Sequence, residues 1–509
     1  MNTPTKPLKI EAASPEAVAE SLTRRQALLG AAVAAGGMAL PSLARAQTTR
    51  DAQPLTGNAP ATRGGPDLSK YLRDTRNDPW RQKMDPRSPL AQVYENIYRI
   101  DPDQPLPPGV PGEDYMPVVT PNNKSLPFKI VDGVKVFHLI AEETVHHFDP
   151  DLRTYCWGYN GVTNGPTIEA VEGDRVRIYV TNRLPAPTTV HWHGFVLPHG
   201  MDGISGLEQP AILPGETFMY EYTLRQHGTF MYHSHHDTMT QEGMGMVGMY
   251  VVHPRKELHP ELADRPRVDR DFAIMLQTWW VDIGASRPNP FSMMFNLFTM
   301  NAHVFPDTEP LVARTNQRVR IRIGNLSAVH HHPIHLHGYE FVTTARDGHT
   351  LRPEDQQVRV TQLVGVGQTR DIELVTTEEG DWIFHCHMTH HIMNQMGDFT
   401  NTVGMAPGAL DEHLQQVLPG YMTMGNAGMN DRTGKPMMPV PPNSIPMKKG
   451  DGPYGPISVA GMANLLKVRE TISDEMLASN TDPGQYSSPL DKLALPARPE
   501  ALRRDGIQV

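Results

Sequence analysis

From about Val118 onward, short runs of alternating apolar and polar residues predict strands with one face in a core and the other turned outward. Lys129-Ile130-Val131, the pair Asp132-Gly133 and then Val134-Lys135-Val136-Phe137 form a two-residue hairpin signal. Arg175 to Val180 and Met219 to Thr223 read as further strands, and Val190 leads into His191-Trp192-His193. Two stretches break the pattern. Gln47 to about Met116 is polar and Pro-rich, which predicts an extended arm with little core of its own. Tyr421 to Met447 combines Met with Pro439-Val440-Pro441-Pro442 and predicts an extended path over the surface.

The pattern also repeats. Thr217 to Met244 matches Thr369 to Met396 at a constant offset of 152, with Gly228 on Gly380, Phe230 on Trp382, His233 on His385 and His235 on His387. Upstream, His191, His193 and Gly194 match His335, His337 and Gly338 at an offset of 144. The expected architecture is all-β: two copies of one β-domain at 119–256 and 268–405, after an arm at 47–118 and before a Met/Pro-rich extension at 406–509. Residues 1–46 read as an export leader. Arg24 and Arg25 precede an apolar run from Ala27 to Leu40, and Ala44-Arg45-Ala46 supplies a small-x-small cleavage signal. Paired arginines at that position point to the twin-arginine route and a periplasmic or secreted product. The run is short for a bilayer span and rich in Ala and Gly, so no membrane anchor is expected.

Composition narrows the classes. A chain of 509 residues has room for two or three domains, and 42 Gly with 47 Pro suit a loop-rich β protein. A net charge of −10 with no basic tract excludes general nucleic-acid binding.

The chemistry is densest in the stretch HCHMTHHIMNQM, where His385 and His387 share one strand face and Cys386 points to the other. Cys386, His391 and Met396 offer a thiolate, an imidazole and a thioether, a blue-copper ligand set short of one histidine. Taken alone, the triplet fits a zinc site or a buried structural Cys as well. Three further pairs change this: His191 with His193, His233 with His235, and His335 with His337, the last preceded by His332. The second copy's His332, Cys386, His391 and Met396 align with Thr188, Ser234, Met239 and Met244 of the first, and a hydroxyl cannot replace the thiolate. Both copies keep the His pairs, and eight imidazoles suit three coppers rather than one. The chain has two cysteines; a Cys156 to Cys386 disulfide would abolish the copper site, so Cys156 is expected to be a buried free thiol.

The motifs HWHG, HSH, HPIHLHG and HCHMTHHIMNQM resemble those of the multicopper oxidases over about residues 119 to 405, in the two-domain, small-laccase-like arrangement. The resemblance implies two cupredoxin-like Greek-key β-sandwiches and four coppers per chain. His332, Cys386, His391 and axial Met396 would hold the type 1 copper, and His191 and His335 the type 2 copper. His193, His233 and His387 would hold one type 3 copper, and His235, His337 and His385 the other. Asp202 matches an acidic residue that assists proton delivery. It further implies one-electron oxidation of a donor near the type 1 histidines, transfer through Cys386 to His385 and His387, and four-electron reduction of dioxygen to water. Cupredoxin His pairs need a second domain to cover them, so a homotrimer with clusters between subunits is expected.

The donor expected from this reading is phenolic. The alternative is a metallo-oxidase for Cu(I) or Mn(II), since soft thioethers suit Cu(I) and methionines flank the second His pair (Met231, Met239, Met244, Met246, Met249) and fill the tail. Packing is the competing role for those near the domains. A copper nitrite reductase would not need eight paired imidazoles, and a non-enzymatic copper carrier would not need the four His pairs. The remaining histidines considered, among them His227, His330, His331 and His349, read as surface, supporting or core residues.

Overall fold

The computed structural model describes residues 83–85, 87–262, 267–282, 285–393, 416, 451–457, 459, 461–489 and 498–508. The expected leader, Met396 and the stretch Tyr421 to Met447 lie outside the described residues.

The first sandwich is built from β1 (Phe128–Val131), β2 (Val134–Asp149), β3 (Leu152–Tyr159), β4 (Gly165–Val171), β5 (Arg175–Asn182), β6 (Val190–His193), β7 (Thr217–Thr223), β8 (Gly228–Ser234) and β9 (Val247–His253). One sheet runs β1-β2-β5-β7 with β3 on β2, and the other runs β4-β9-β8-β6. The β1–β2 turn is the hairpin read from sequence: Asp132 and Gly133 take φ of 50° and 76°, the two positive values a type I′ turn requires. Between the sheets Trp192 is fully buried, with Tyr220, Tyr222, Tyr232 and Tyr250 around it at ring-centroid distances of 5.2 to 6.2 Å. Truncating a buried aromatic of this kind costs roughly 3–5 kcal/mol. Because Trp192 lies between His191 and His193, that packing also fixes which way both imidazoles face.

The second sandwich contains β10 (Arg270–Trp279), β11 (Leu297–Met300), β12 (Leu311–Arg314), β13 (Arg318–Asn325), β14 (His332–Leu336), β15 (Phe341–Arg346), β16 (His349–Thr350), β17 (Gln357–Arg359), β18 (Thr361–Val364), β19 (Thr369–Val375) and β20 (Gly380–Cys386). Its first sheet runs β11-β10-β13-β19-β15-β16 with β17 on β15. The second places the strand Ala463–Arg469 between β12 and β20, followed by β14 and β18. Here the structure differs from the sequence reading, which left everything after 405 as an extension. Ala463, Leu466 and Val468 are buried, and the strand pairs antiparallel with β20 from Gly380↔Val468 to His385↔Ala463. It covers what would otherwise be the open edge of the strand that carries Cys386. The arm likewise contributes more than expected: Ile97, Ile100, Tyr115 and Val118 are buried, and Pro89–Tyr98 is a helix.

The sandwiches pack through Met231, Val247, Met249 and Val251 of the first against Ala273, Met275 and Leu326 of the second, with Val118. A Cβ on Gly324 would lie 2.8 Å from the Sδ atoms of both Met231 and Met249, so the missing side chain makes room for the thioethers. Packing therefore accounts for these two methionines, and Met244 and Met246 are buried as well, whereas Met239 is exposed. A buried polar seam runs alongside. Arg322 pairs with Asp271 at 2.8 Å and Asp371 at 3.2 Å and donates to Thr229 Oγ1, which donates to Asp371 at 2.7 Å. Gly228, at the start of β8, has φ 142°, and a Cβ there would collide with the Gly348 carbonyl of the facing hairpin. Gly228→Ala is expected to destabilise the chain by at least about 1–3 kcal/mol, the range of a strained backbone position, read as a lowered Tm.

Among the described residues no helix is long and apolar enough to cross a membrane.

Candidate metal centre

Strand register assembles the site the same way in both sandwiches. β6 pairs with β8 so that His191 faces His233 and Val190 faces Ser234, and β14 pairs with β20 so that His335 faces His385 and Ile334 faces Cys386. Period-two alternation then turns the histidines to one face and Ser234 or Cys386 to the other.

On the inner face of the second sandwich, Cys386 Sγ lies 3.6 Å from His332 Nδ1 and 3.4 Å from His391 Nδ1, and those two nitrogens are 3.2 Å apart. All three residues are fully buried. Each imidazole is held from behind. Ser327 Oγ lies 2.8 Å from His332 Nε2, and Phe298 stacks on His391 at 4.2 Å and 14°. Burial keeps His332 well below the usual histidine range and takes His391 to about 3, so both are neutral donors near neutral pH. The same burial pushes the Cys386 thiol up to about 12. One soft sulfur and two neutral imidazoles converging in a dry pocket fit copper, and ligation by Cys would displace the thiol proton. Loss of an outer partner that orients a ligand typically costs 10–100-fold in metal affinity. Ser327→Ala is accordingly expected to weaken copper retention at this triad about 10–100-fold, measured by competition with a chelator while following the blue absorption.

On the opposite face the eight paired histidines form two sets. His191, His193 and His233 converge in the first sandwich and His335, His337 and His385 in the second. His235 joins the first set at a ring-centroid distance of 5.4 Å from His191, and His387 joins the second at 5.5 Å from His335. The closest donor pairs are His193 Nδ1 to His233 Nε2 at 3.4 Å and His337 Nε2 to His385 Nε2 at 3.1 Å. The supporting contacts repeat too. His191 Nδ1 lies 2.7 Å from the Asp202 carbonyl and His335 Nδ1 2.5 Å from that of Val360. His233 and His385 hold the carbonyls of Ser234 and Cys386 at 2.9 and 2.8 Å. A proton on Nδ1 shared with a carbonyl leaves Nε2 of these four rings as the donor. Burial lowers His193 and His385 to about 4, which keeps them unprotonated. His233 has a second partner, Glu242 Oε1 at 2.7 Å.

Asp202 stands beside His191, with Oδ1 3.6 Å from Nδ1, and burial raises its carboxyl above the ordinary value. Both cysteines are free and buried, so no disulfide competes for Cys386. In the first sandwich the place of the sulfur triad is plugged: Thr188 and Ser234 lie 2.7 and 2.5 Å from Gln241 Oε1. Gln241 fills it, not the aligned Met239, which is exposed. Ser327, Gln241 and Glu242 carry no motif and were not legible in the sequence. His330, placed by sequence beside a ligand, packs against His391 at 4.9 Å.

Residues 141–257 and 282–401 each match a family model described as multicopper oxidase, one over each sandwich, and the chain belongs to that family of copper-binding proteins. A copper resistance protein A from Pseudomonas syringae pv. tomato is 28% identical over 277 residues, covering 46% of this chain and 44% of that one. An L-ascorbate oxidase from Nicotiana tabacum is 32% identical over 154 residues, 30% of this chain and 26% of the other. The chain thus spans less than half the length of these curated relatives. Among solved structures, a blue copper oxidase from Nitrosomonas europaea is 25% identical and covers 65% of this chain and 85% of its own, with a TM-score of 0.47.

Proposed function

We propose that this chain is a laccase-like oxidase that takes electrons one at a time from a small phenolic donor and delivers them to dioxygen, forming water. The observation that carries the reading is the two-sided strand end at Cys386. Its sulfur meets His332 and His391 on the inner face, while the neighbouring His385 meets His335 and His337 on the other. Bound copper would supply one-electron exchange at the sulfur triad and the four-electron reduction of dioxygen at the histidine cluster. His332, Cys386, His391 and Met396 would hold the first copper. His191 and His335 would hold the type 2 ion; His193, His233 and His387 one type 3 ion; and His235, His337 and His385 the other. The chain's own part is to fix ring orientation through backbone carbonyls, to exclude water from the sulfur triad and to connect the two ligand sets by single peptide links. Asp202, with Oδ1 3.6 Å from His191 Nδ1, would pass protons there.

Exposed Val329, Leu363 and Met388 flank the triad in sequence or strand register, and an apolar rim suits an aromatic donor. The second reading, oxidation of Cu(I), is supported by the similarity to a copper resistance protein A and by the methionines of Tyr421 to Met447. Export to the periplasm follows from the leader read in residues 1–46.

The test is oxygen consumption by the copper-loaded protein with 2,6-dimethoxyphenol, Cu(I) and Mn(II), in the full chain and after deletion of Tyr421 to Met447. Phenol turnover that survives the deletion supports the first reading. Cu(I) turnover that exceeds it and collapses with the deletion supports the second. Nitrite consumption without oxygen uptake would overturn both.

Support for an assembly comes from exposure. His337 and His387 are exposed in the single chain, and the two histidine sets form separate clusters among the described residues. We propose that the cluster closes between neighbouring chains of a homotrimer.

A further inference from the structure

A third group of convergent donors lies away from the oxidase centre, where the first sandwich meets the segment that leads to the second. Glu172 follows β4, His227 precedes β8, and His259 lies in that segment. His259 Nε2 and His227 Nδ1 approach the same carboxylate oxygen, Glu172 Oε2, at 2.6 and 3.2 Å. Their rings are in contact, with centroids 4.3 Å apart at 72°. Glu172 and His259 are buried, at 1% and 3% exposure. His227 precedes His233 by six residues of nearly continuous strand, which puts this group roughly 20 Å from the paired histidines.

We propose that Glu172, His227 and His259 bind a divalent cation of the borderline class, zinc or cupric, that ties the first sandwich to the linker. Two imidazoles and a carboxylate are a set such ions accept, with a fourth position left to water. The copper-type clusters of this same chain give the scale. Their donor atoms stand 3.1 to 3.6 Å apart, and here the corresponding distances are 2.6 and 3.2 Å, so an ion requires only a small outward movement. The outer contacts suit ligands held from behind. His227 Nε2 faces Thr350 Oγ1 of the second sandwich at 3.5 Å, and the Arg255 side chain donates to the Glu172 carbonyl at 2.7 Å. Arg99 Nη1 stands 3.4 Å from His259 Nδ1, but its firm bond is to the Leu258 carbonyl at 2.5 Å, and it keeps that bond when Nδ1 becomes a donor. Because Thr350 belongs to the second sandwich, an ion here would also stiffen the junction between the halves.

The experiment is equilibrium dialysis of the copper-loaded full chain against Zn(II), with copper and zinc counted in the same sample and Tm recorded. The wild type is expected to take up one zinc per chain without losing copper and to gain several degrees in Tm. Glu172→Gln and His259→Ala are expected to bind zinc on the order of 100-fold more weakly, beyond the usual cost of an outer-shell loss, with the blue absorption unchanged as the check on folding. The wild type decides the matter even where a variant fails to fold: no zinc uptake at ~100 μM in a chain holding no more than the four coppers of the oxidase centres overturns the proposal, while a fifth copper lost in Glu172→Gln supports it. Uptake that is equal in wild type and folded variants also overturns it.

Discussion

Cys386→Ser is expected to abolish the intense blue absorption of the copper-loaded protein and to lower dioxygen consumption by at least on the order of 100-fold, since losing a ligand costs more than the 10–100-fold typical of its outer partners. A blue-copper site requires a thiolate, and a hydroxyl neither ionises at neutral pH nor offers a soft donor. The chain contains its own precedent. At the aligned position of the first sandwich, Ser234 has settled into hydrogen bonds with Gln241 and Thr188, a fully satisfied polar plug with no soft donor. Unlike Ser234, a serine at 386 would face His332 and His391, whose Nδ1 atoms offer hydrogen bonds but no soft donor in place of the sulfur. Copper at the paired histidines should persist in the variant, and its stoichiometry separates loss of one centre from loss of the fold. Blue colour and oxygen uptake that outlast the substitution would remove the basis of the whole functional reading.

What the sequence made legible was local. Alternation around Cys386 sorts its neighbours onto two faces before any fold is known, because the side-chain period of a strand is two. The internal repeat then predicts that the histidine pairs occupy equivalent places, and the register His191↔His233 and His335↔His385 places them so. Contacts made across strands or across long loops were not legible. Ser327 reaches His332 from a turn, and nothing in a single serine marks it as a partner. The strand Ala463–Arg469 shows alternation, but it follows a Met- and Pro-rich stretch that reads as an extension. Its partner β20 ends at Cys386, a separation over which sequence periodicity says nothing about pairing. Gln241 was missed for a related reason: the residue that plugs the lost site comes from the next turn, not from the aligned column.

Two inactive variants are expected to restore activity to each other when co-expressed. His191→Ala disables the first-sandwich histidine set and His385→Ala the second, and each alone should reduce oxygen consumption to background. If the cluster closes between neighbouring chains, a mixed ring brings an intact first sandwich from one chain against an intact second sandwich from another. With random assembly about a quarter of the interfaces are of that kind, so about a quarter of wild-type activity should return, a head-to-tail interface being the geometry that allows it. The chain that supplies the intact second sandwich also supplies its own sulfur triad, so both ligand sets linked through Cys386 are whole at every restored interface. Exposure of His337 and His387 in the single chain is what makes such a junction sterically open. A cluster closed within one chain gives no recovery at any mixing ratio, because every chain then carries a damaged half. Activity that stays at background in mixed preparations, together with a fully copper-loaded wild-type monomer on sedimentation, would place the cluster inside the single chain instead.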